Sequence, residues 1–444
     1  MRTLFRLAAI LVGIAIAWPA AADYLEIRRP TTVKQDPSSD SDVIARPKVG
    51  DNLDLLDGGT QTNGYYHVLE PDSGQPGWVY RTFVTRYEGR LPGQDSGPPP
   101  AAPNSGAQSS KLSGDTMKVH YIDVGQGNSA LVEFSCGAVL IDAGGESPDS
   151  TQALLKYLDD FFARRTDLNK TLNAIFITHT HVDHNRSLRS VVEKYTVQNY
   201  IHNGIYDGSG RAGAGWMRDH ANDNGRKIKM REVGHDEVFK KGDKAGVTDD
   251  AIDPVNCSGV DPKLRVLQGP YEDNPGWSEE AFDNGNNKGI VIRIDFGKSS
   301  FLFPGDTEEE ALEELVSLYR GSDTLRAGVL LVSHHGSYNA TTTNELAAIS
   351  PELAVISMGT PAAHKPFTAW QYGHPREVAV KLLTDSISRL RAKPVNVQVA
   401  TAAKKFTTTQ MRKAVYATGW DGTIVIEADK DGHYVAANDN LATR

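Results

Sequence analysis

The sequence predicts an α+β chain in which a small all-β domain precedes a larger domain of mixed strands and helices. Three observations support this. Residues 23–87 contain short apolar runs separated by Gly, Pro, Asp and Asn clusters, as small all-β domains do. Residues 88–115 are rich in Pro, Gly and Ser and form a linker that cannot build a core. Residues 116–435 combine buried strand-like runs with apolar residues at helical spacing.

Residues 1–22 have the pattern of a signal peptide. Arg2 and Arg6 precede an apolar core from Leu7 to Trp18, which is too short to span a bilayer. The small residues Ala20–Ala22 provide a cleavage site. We therefore expect an exported protein, periplasmic or secreted, with a retained N-terminal anchor as the alternative. The rest of the sequence predicts no stable membrane span.

The all-β stretch, residues 23–87, resembles a bacterial SH3 module. The resemblance rests on four segments in order: Ile27-Arg28, Lys48–Asp51, Tyr66–Val68 and Gly77–Val79. It implies contact with cell-wall peptidoglycan or positioning of the next domain, and no chemistry. Plain packing of the aromatic residues is the alternative to ligand stacking.

The densest cluster of metal-binding side chains follows an apolar run from Ala174 to Ile177. His179, His181, Asp183 and His184 then occur within six residues. Because a strand alternates its side chains, the first two should point to the same side, and the chain then turns. Imidazoles and carboxylates suit zinc, iron or manganese. A solvated polar loop does not explain four such residues so close together.

This motif and four others, in their order, resemble the metallo-β-lactamase-fold hydrolases of the ComEC/Rec2-like branch, and similarly phosphorylcholine esterases. The motifs are His179-x-His-x-Asp-His184, Asp123–Ser129, Phe303–Asp306, Ser333–Ser337 and Tyr372–Pro375. The resemblance implies that the catalytic domain is a four-layer αββα sandwich. Its metal site would lie at one edge, where strand-end loops converge.

The resemblance also implies two divalent metal ions, expected to be zinc, with manganese or iron as alternatives. The first ion would be held by His179 and His181, the second by Asp183, His184 and His335, and both by Asp306. A hydroxide held between the ions would be the nucleophile. The sequence offers no residue for the third imidazole that usually completes the first ion.

Four further residues are expected around this site. His334 would contact the transition state, although it could exchange roles with its neighbour His335. His374 would donate a proton to the leaving group, or alternatively cap a helix. Asp142 would accept a hydrogen bond from a metal-bound histidine, or simply form a turn. Asp123 would support the same rim of the site.

Two features remain open at this stage. Residues 204–262 are rich in Gly, Asp and Asn, and we interpret them as an insertion near the cleft. Cys136 and Cys257 could be joined in an exported protein, but the sequence does not decide whether they meet.

Charge limits the partners. The chain has 47 Lys and Arg against 56 Asp and Glu, and loss of residues 1–22 removes two Arg and no acid. An acidic surface does not support generic clamping of nucleic acid, although it permits a locally basic cleft. The leading hypothesis is an exported hydrolase of phosphoesters or phosphodiesters, such as nucleic-acid fragments or cell-envelope polymers. A carboxyl-ester, lactone or amide hydrolase and a non-catalytic wall-binding adaptor are the alternatives.

Overall fold

The computed structural model describes residues 24–56, 60–69, 76–87, 111–240 and 244–437. These residues form two compact units: the first lies within residues 24–87, and the second contains everything from Lys111 onward. The predicted signal peptide, residues 1–22, and residues 88–110 of the predicted linker lie outside the described residues.

The first unit is built from β-strands. Its strands are β1 (Tyr24–Ile27), β2 (Val33–Lys34), β3 (Val43–Ala45), β4 (Asn52–Asp54), β5 (Gln61–Thr62), β6 (Tyr65–Leu69), β7 (Pro76–Tyr80) and β8 (Val84–Tyr87). They form one sheet in the order β4-β1-β8 and another in the order β3-β2-β7-β6-β5. Alternating apolar residues of both sheets, such as Leu25, Ile27, Val68 and Val79, share one small core.

The second unit mixes strands and helices. Its first half contains β9 (Thr116–Tyr121), β10 (Ala130–Glu133), β11 (Ala138–Ile141), α1 (Pro148–Arg164), β12 (Thr171–Phe176), α2 (Val182–Asn185), α3 (Leu188–Lys194), β13 (Thr196–His202), α4 (Arg211–His220), β14 (Lys229–Glu232) and α5 (His235–Val238). The next elements are β15 (Lys263–Gln268), α6 (Glu279–Asp283), β16 (Val291–Phe296), β17 (Ser299–Phe303), α7 (Glu309–Leu318), β18 (Val329–Leu331), α8 (Thr343–Ile349) and β19 (Leu353–Ile356). The last are α9 (Ala369–Tyr372), α10 (Glu377–Ser386), β20 (Leu390–Ala402), β21 (Lys405–Lys413), β22 (Val415–Ala417), α11 (Thr418–Asp421), β23 (Ile424–Asp429) and β24 (Tyr434–Ala436).

These strands build two large sheets and a two-stranded ribbon. The first sheet has the order β14-β13-β12-β11-β10-β9-β23-β24, and the second has the order β15-β16-β17-β18-β19-β22. Strands β20 and β21 pair with each other as the ribbon, and Ala400 of β20 also forms a single bridge with Arg376. In each sheet four neighbouring strands run parallel: β11 to β14 in the first, and β17, β18, β19 and β22 in the second. Parallel strands end at the same edge, so the loops that follow them are brought together.

The two sheets pack through a common apolar core. Tyr121 of β9 stacks against Phe303 of β17 with 6.2 Å between the ring centroids, and both side chains are fully buried. Each large apolar side chain buried in this way contributes about 1.5–3 kcal/mol, so this core is a main source of stability. Helices α7, α8 and α10 pack on it through residues such as Leu315, Leu346 and Leu383. The mixed α/β architecture predicted for residues 116–435 is confirmed.

A separate apolar layer covers the other face of the first sheet. Helix α1 begins with Pro148 at its first turn after Ser147, which forms a capping box with Ser150. Its residues Leu154 and Leu158, four apart and therefore on one face, are buried against the sheet together with residues of α3 and α4.

Residues 204–262 are more closely integrated than the insertion expected from sequence. Strand β14 pairs in parallel with β13 and forms the edge of the first sheet. Cys136, in the turn after β10, is joined by a disulfide to Cys257, just before β15. The bond therefore ties the end of this segment to a central hairpin. No helix among the described residues combines the length and apolarity needed to cross a bilayer.

Candidate metal centre

Two glycine-containing segments, around Asn128 and around Gly144, hold the loop that carries the first candidate ligands. The backbone oxygen of Asp183 accepts hydrogen bonds from the backbone N–H groups of Asn128 and Gly145, at 2.9 and 3.2 Å. A Cβ atom at Gly144 would lie 1.7 Å from that oxygen, so only glycine fits there. This supporting role of the segment around Gly144 was not foreseen from the sequence.

His179 and His181 lie side by side after β12. Nε2 of His179 is 3.0 Å from Nδ1 of His181 and 4.0 Å from Oδ2 of Asp306. Burial, followed by the neighbouring His184 and His181, lowers the pKa of His179 well below its ordinary value. The His179 imidazole is therefore neutral, which is the form that binds a metal ion.

Four other predicted ligands converge next to this pair. One ligand atom from each of Asp183, His184, Asp306 and His335 lies within 4.8 Å of the other three. Nε2 of His184 is 3.1 Å from Oδ1 of Asp306. Nε2 of His335 is 3.3 Å from Asp183 and 3.4 Å from Oδ2 of Asp306. Asp306 thus faces His184 through Oδ1, and both His335 and His179 through Oδ2.

The electrostatics of this cluster fit a bound cation. The buried Nε2 atoms of His184 and His335 make no hydrogen bond within the described part of the chain, although carboxylate oxygens lie close. Burial opposes the charged form of both imidazoles, but Asp306 overcomes it and raises the pKa of His184 well above its ordinary value and that of His335 to about 10. Burial likewise opposes ionisation of Asp306, but the imidazoles keep its pKa well below the ordinary value. The cluster therefore favours positive charge at the point where these side chains meet, and imidazoles with carboxylates are ligands that divalent metals select.

Asp142 orients one of these histidines. It follows β11 with a φ of 57°, and its carboxylate accepts hydrogen bonds from the backbone N–H and the hydroxyl of Thr178 and from Nδ2 of Asn128. The same carboxylate lies 2.7 Å from Nδ1 of His184. Nδ1 therefore carries the hydrogen, and Nε2 is turned toward Asp306. The structure does not bring Asp123 to this group: its side chain is exposed and accepts a hydrogen bond from the backbone N–H of Gly125 at 3.2 Å.

The adjacent His334 and His335 occupy different environments. Both have positive φ angles, 45° and 55°. His335 is buried, and its Nδ1 donates to the backbone oxygen of Ser357 at 2.6 Å, which directs Nε2 into the cluster. His334 is partly exposed, with Nδ1 3.2 Å from Glu308 and Nε2 3.9 Å from Asp306. The geometry favours His335 as the ligand and His334 as a residue of the rim.

His374 lies beside these two histidines, at ring-centroid distances of 5.6 Å from His334 and 5.9 Å from His335. It does not cap the following helix, because α10 begins at Glu377 after Arg376. Its Nδ1 lies 3.0 Å from the side-chain amide nitrogen Nε2 of Gln126. Burial, with the neighbouring imidazoles, lowers the pKa of His374 well below its ordinary value. The neutral form of the ring is therefore favoured, and this form presents one N–H group; the role of His374 as a proton donor stays a prediction.

Gln126 and Asn286 are residues of this site that the sequence interpretation missed. The Gln126 amide orients His374, and its Oε1 accepts from the backbone N–H of Gly359 at 3.5 Å. Nδ2 of Asn286 is 3.5 Å from Nε2 of His334, and its buried Oδ1 has no hydrogen-bond partner among the described residues. Gln126 lies within the Asp123–Ser129 motif that carries the resemblance, whereas no local pattern around Asn286 distinguishes it from other loop asparagines.

Strand-end imidazoles and carboxylates, gathered between two packed sheets around one shared aspartate, define a metal-dependent hydrolase as the class of protein. A family model described as the metallo-beta-lactamase superfamily matches residues 122–360, more than half of the chain. The chain belongs to this superfamily, and the enzyme class predicted from sequence is confirmed.

Curated relatives include competence proteins. ComE operon protein 3 of Bacillus subtilis (strain 168) is 23% identical over 276 residues, which cover 60% of this chain and 30% of that protein. Competence protein ComA of Neisseria gonorrhoeae is 35% identical over 111 residues, 25% of this chain and 16% of that protein. The aligned region thus spans less than a third of either relative.

Solved structures also resemble the chain. The metallo-beta-lactamase fold protein YhfI from Bacillus subtilis is 11% identical and covers 72% of this chain and 100% of its own, with a TM-score of 0.36.

Proposed function

We propose that this protein is a two-metal hydrolase of phosphodiesters. The observation that carries the proposal is the position of Asp306 between the two expected ligand sets. Its carboxylate lies 4.0 Å from His179, a proposed ligand of the first ion, and 3.1 and 3.4 Å from His184 and His335, proposed ligands of the second. A carboxylate in this position suits the bridging of two cations. Paired cations favour displacement at phosphorus, because they stabilise both the attacking and the leaving oxygen.

The proposed ligands are those expected from the sequence. His179 and His181 would hold one ion, Asp183, His184 and His335 the other, and Asp306 both. We expect zinc, with manganese or iron as alternatives. Bound ions of this kind lower the pKa of water to about 7 and neutralise developing negative charge.

The chain's own residues would supply orientation and hydrogen bonds. Asp142 and the backbone oxygen of Ser357 hold His184 and His335 with their Nε2 atoms directed inward. His374, held by Gln126, would donate a hydrogen bond to a substrate oxygen next to His335. His334, beside Glu308, would contact the substrate from the exposed side.

A carboxyl-ester, lactone or amide hydrolase on the same site is the second candidate, because such a centre attacks many electrophiles. A panel of nitrophenyl phosphodiester, phosphomonoester and carboxyl-ester substrates, each tested with and without chelator, separates the two. We expect chelator-sensitive turnover to be fastest on the phosphodiester. Faster turnover of the carboxyl ester would contradict the proposal, and a folded, metal-free protein without turnover would favour the wall-binding adaptor.

We also propose that the protein is exported. Residues 1–22 support this by their signal-peptide pattern, and the Cys136–Cys257 disulfide supports it because disulfides persist in oxidising compartments. The first unit would be an SH3-like module that contacts peptidoglycan. Mass measurement of the exported protein tests the first point: retention of residues 1–22 would contradict cleavage.

A further inference from the structure

Positive charge is concentrated in one part of this acidic chain. Residues 353–420 contain ten Lys or Arg and only two Asp or Glu, whereas the whole chain has a net charge of −9. No Asp or Glu occurs between Asp385 and Asp421. A basic segment within an acidic protein creates a local field that attracts anions, even though the molecule as a whole repels them.

Much of this segment forms the β20–β21 ribbon. At about 3.3 Å per residue, β20 is about 40 Å long. Val397, Val399 and Met411 are buried in the core and anchor the ribbon to the second unit. Most other residues of β21 are exposed, including the hydroxyl- and amide-bearing run from Thr407 to Gln410. The ribbon therefore presents a long polar surface without acidic groups.

The turn of the ribbon packs against the segment that carries His374. The backbone N–H of Ala400 donates to the oxygen of Pro375 at 2.8 Å, and that of Lys404 donates to the oxygen of Trp370 at 2.9 Å. A Cβ atom at Gly373 would lie 2.9 Å from the oxygen of Ala402. The basic ribbon thus begins where the candidate metal centre opens.

Several of these cations have no acidic partner among the described residues. Arg389 and Arg391 form ion pairs with Glu352 and Asp421. In contrast, the following side chains form no ion pair with any described residue: Lys365, Arg376, Lys404, Lys405 and Arg412. Of these, the lysines and Arg412 are exposed. Their charge is not neutralised by an adjacent carboxylate, although Lys404 also lies 5.3 Å from the centre of the Trp370 ring.

Exposed aromatic rings lie among the same cations. Phe367 is 65% exposed, Tyr338 63% and Tyr372 40%. The Tyr372 ring stacks on His374 at 5.7 Å, and the Arg376 guanidinium lies 5.3 Å from the centre of the Tyr338 ring. Exposed rings among cations are the elements with which proteins hold single-stranded nucleic acid, because bases stack on the rings while Lys and Arg contact phosphates.

We propose that the surface formed by the β20–β21 turn and residues 364–376 binds single-stranded nucleic acid and leads one phosphodiester to the metal centre. The aromatic rings favour a ligand with bases over an anionic envelope polymer without them. Cleavage of the bound strand rests on the proposed function, but binding does not.

Binding can be measured without turnover. The full chain is titrated, in chelator, into a fluorescent oligothymidylate of about 20 nucleotides, and anisotropy is recorded. We expect the K404E/K405E double variant to bind at least about tenfold more weakly, because it replaces phosphate contacts with repulsion. The matched variant K227E/K229E makes the same charge change at exposed positions beside and within β14, and we expect its affinity to stay within about twofold.

A further variant and a competitor test whether the ligand is a nucleic acid. F367A should weaken oligothymidylate binding about fivefold or more, since it removes a stacking surface without changing charge. Inorganic polyphosphate of matched charge should compete poorly. Equal competition by polyphosphate, unchanged binding in F367A, or equal losses in the two double variants would overturn the proposal. Ribbon-dependent binding without phosphodiester turnover would instead contradict only the proposed function, whereas turnover of nitrophenyl phosphodiesters without ribbon-dependent binding would contradict only this inference.

Discussion

The two sheets of the second unit supply the candidate metal centre in different ways. The first sheet delivers four candidate ligands in one short loop, from His179 to His184, and surrounds that loop with buried hydrogen bonds. The second sheet delivers Asp306 after β17 and His335 after β18, on separate loops of its neighbouring parallel strands. Its histidine lies in strained backbone with a φ of 55°.

The two sets of candidate ligands therefore depend on different parts of the fold. The first sheet's candidate ligands are oriented by the chain itself, because Asp142 and the segment around Gly144 hold the loop in place. The second sheet's ligands meet them only when the two sheets are packed together. Asp306 is the residue on which both depend, so changes there should have larger effects than changes within either half.

The largest effect is expected for Asp306→Ala. Loss of the shared carboxylate should release both ions and lower phosphodiester turnover by about 10³-fold or more, since metal charge stabilisation is worth several kcal/mol. Metal content and turnover of the purified variant check this. Asp323→Ala, which removes a 95% exposed carboxylate, is the matched control. A folded Asp306→Ala protein with full metal content would break the comparison.

His374→Ala tests a residue that lies beside the second sheet's candidate ligands and is not itself a proposed ligand. Because the lowered pKa keeps the ring neutral, we expect turnover to fall about 10²-fold to a similar extent on alkyl and nitrophenyl phosphodiesters, through loss of a hydrogen bond. The pH dependence of wild-type turnover on either substrate should show no titration of His374 above about pH 6.5, since a lowered pKa moves that step to more acidic pH. A much larger loss on the alkyl substrate would instead identify His374 as the general acid expected from sequence.

Asp142→Asn tests how the first sheet orients its candidate ligand His184. The substitution removes the charged acceptor beside His184 while preserving size, and changes of this kind typically cost about 10- to 100-fold in metal affinity. Competition with a chromophoric chelator measures it. Asp123→Asn is the natural control, because that side chain lies away from the ligands. Unchanged affinity in Asp142→Asn would mean that packing alone orients His184.

The last effect acts on stability and leaves the centre unchanged; it concerns buried carboxylates elsewhere in the second unit. Glu133 on the first sheet is paired with Arg165 at 2.8 Å. Glu345 on α8, beside the second sheet, is buried without a cation, and burial, followed by the charge of Glu313, raises its pKa to about 8. The folded state therefore keeps a proton that the unfolded state loses, and stability should fall by about 1 kcal/mol per pH unit between about 4.5 and 8.

Urea unfolding across this pH range checks the Glu345 effect. Glu345→Gln should remove the slope, because glutamine can still accept the capping hydrogen bond from Thr342 without ionising. Glu309→Gln, at an exposed position of α7, should leave it in place. An unchanged slope in Glu345→Gln would assign the pH dependence to other groups.

The same contrast between the two sheets explains which site residues could be predicted from the sequence. Four ligands within six residues identify a metal site through their chemistry alone. Asp306, His335 and His374 needed the family resemblance, because nothing local distinguishes an aspartate in a Pro-Gly-Asp turn as a metal ligand. The disulfide and the contacts of Asn286 could not be predicted, since they depend on which loops the packed sheets bring together. Strand β14 was missed because Met230 is the only apolar residue of its four.

The central claim is that the two sheets together hold a pair of metal ions through Asp306. Native mass spectrometry of the full chain, stripped of metal and then titrated with Zn²⁺, tests it most directly. The account predicts that the wild-type protein binds two ions, His181→Ala binds one, and Asp306→Ala binds neither tightly. Binding of two ions by a folded Asp306→Ala protein, or of none by the wild type, would contradict it.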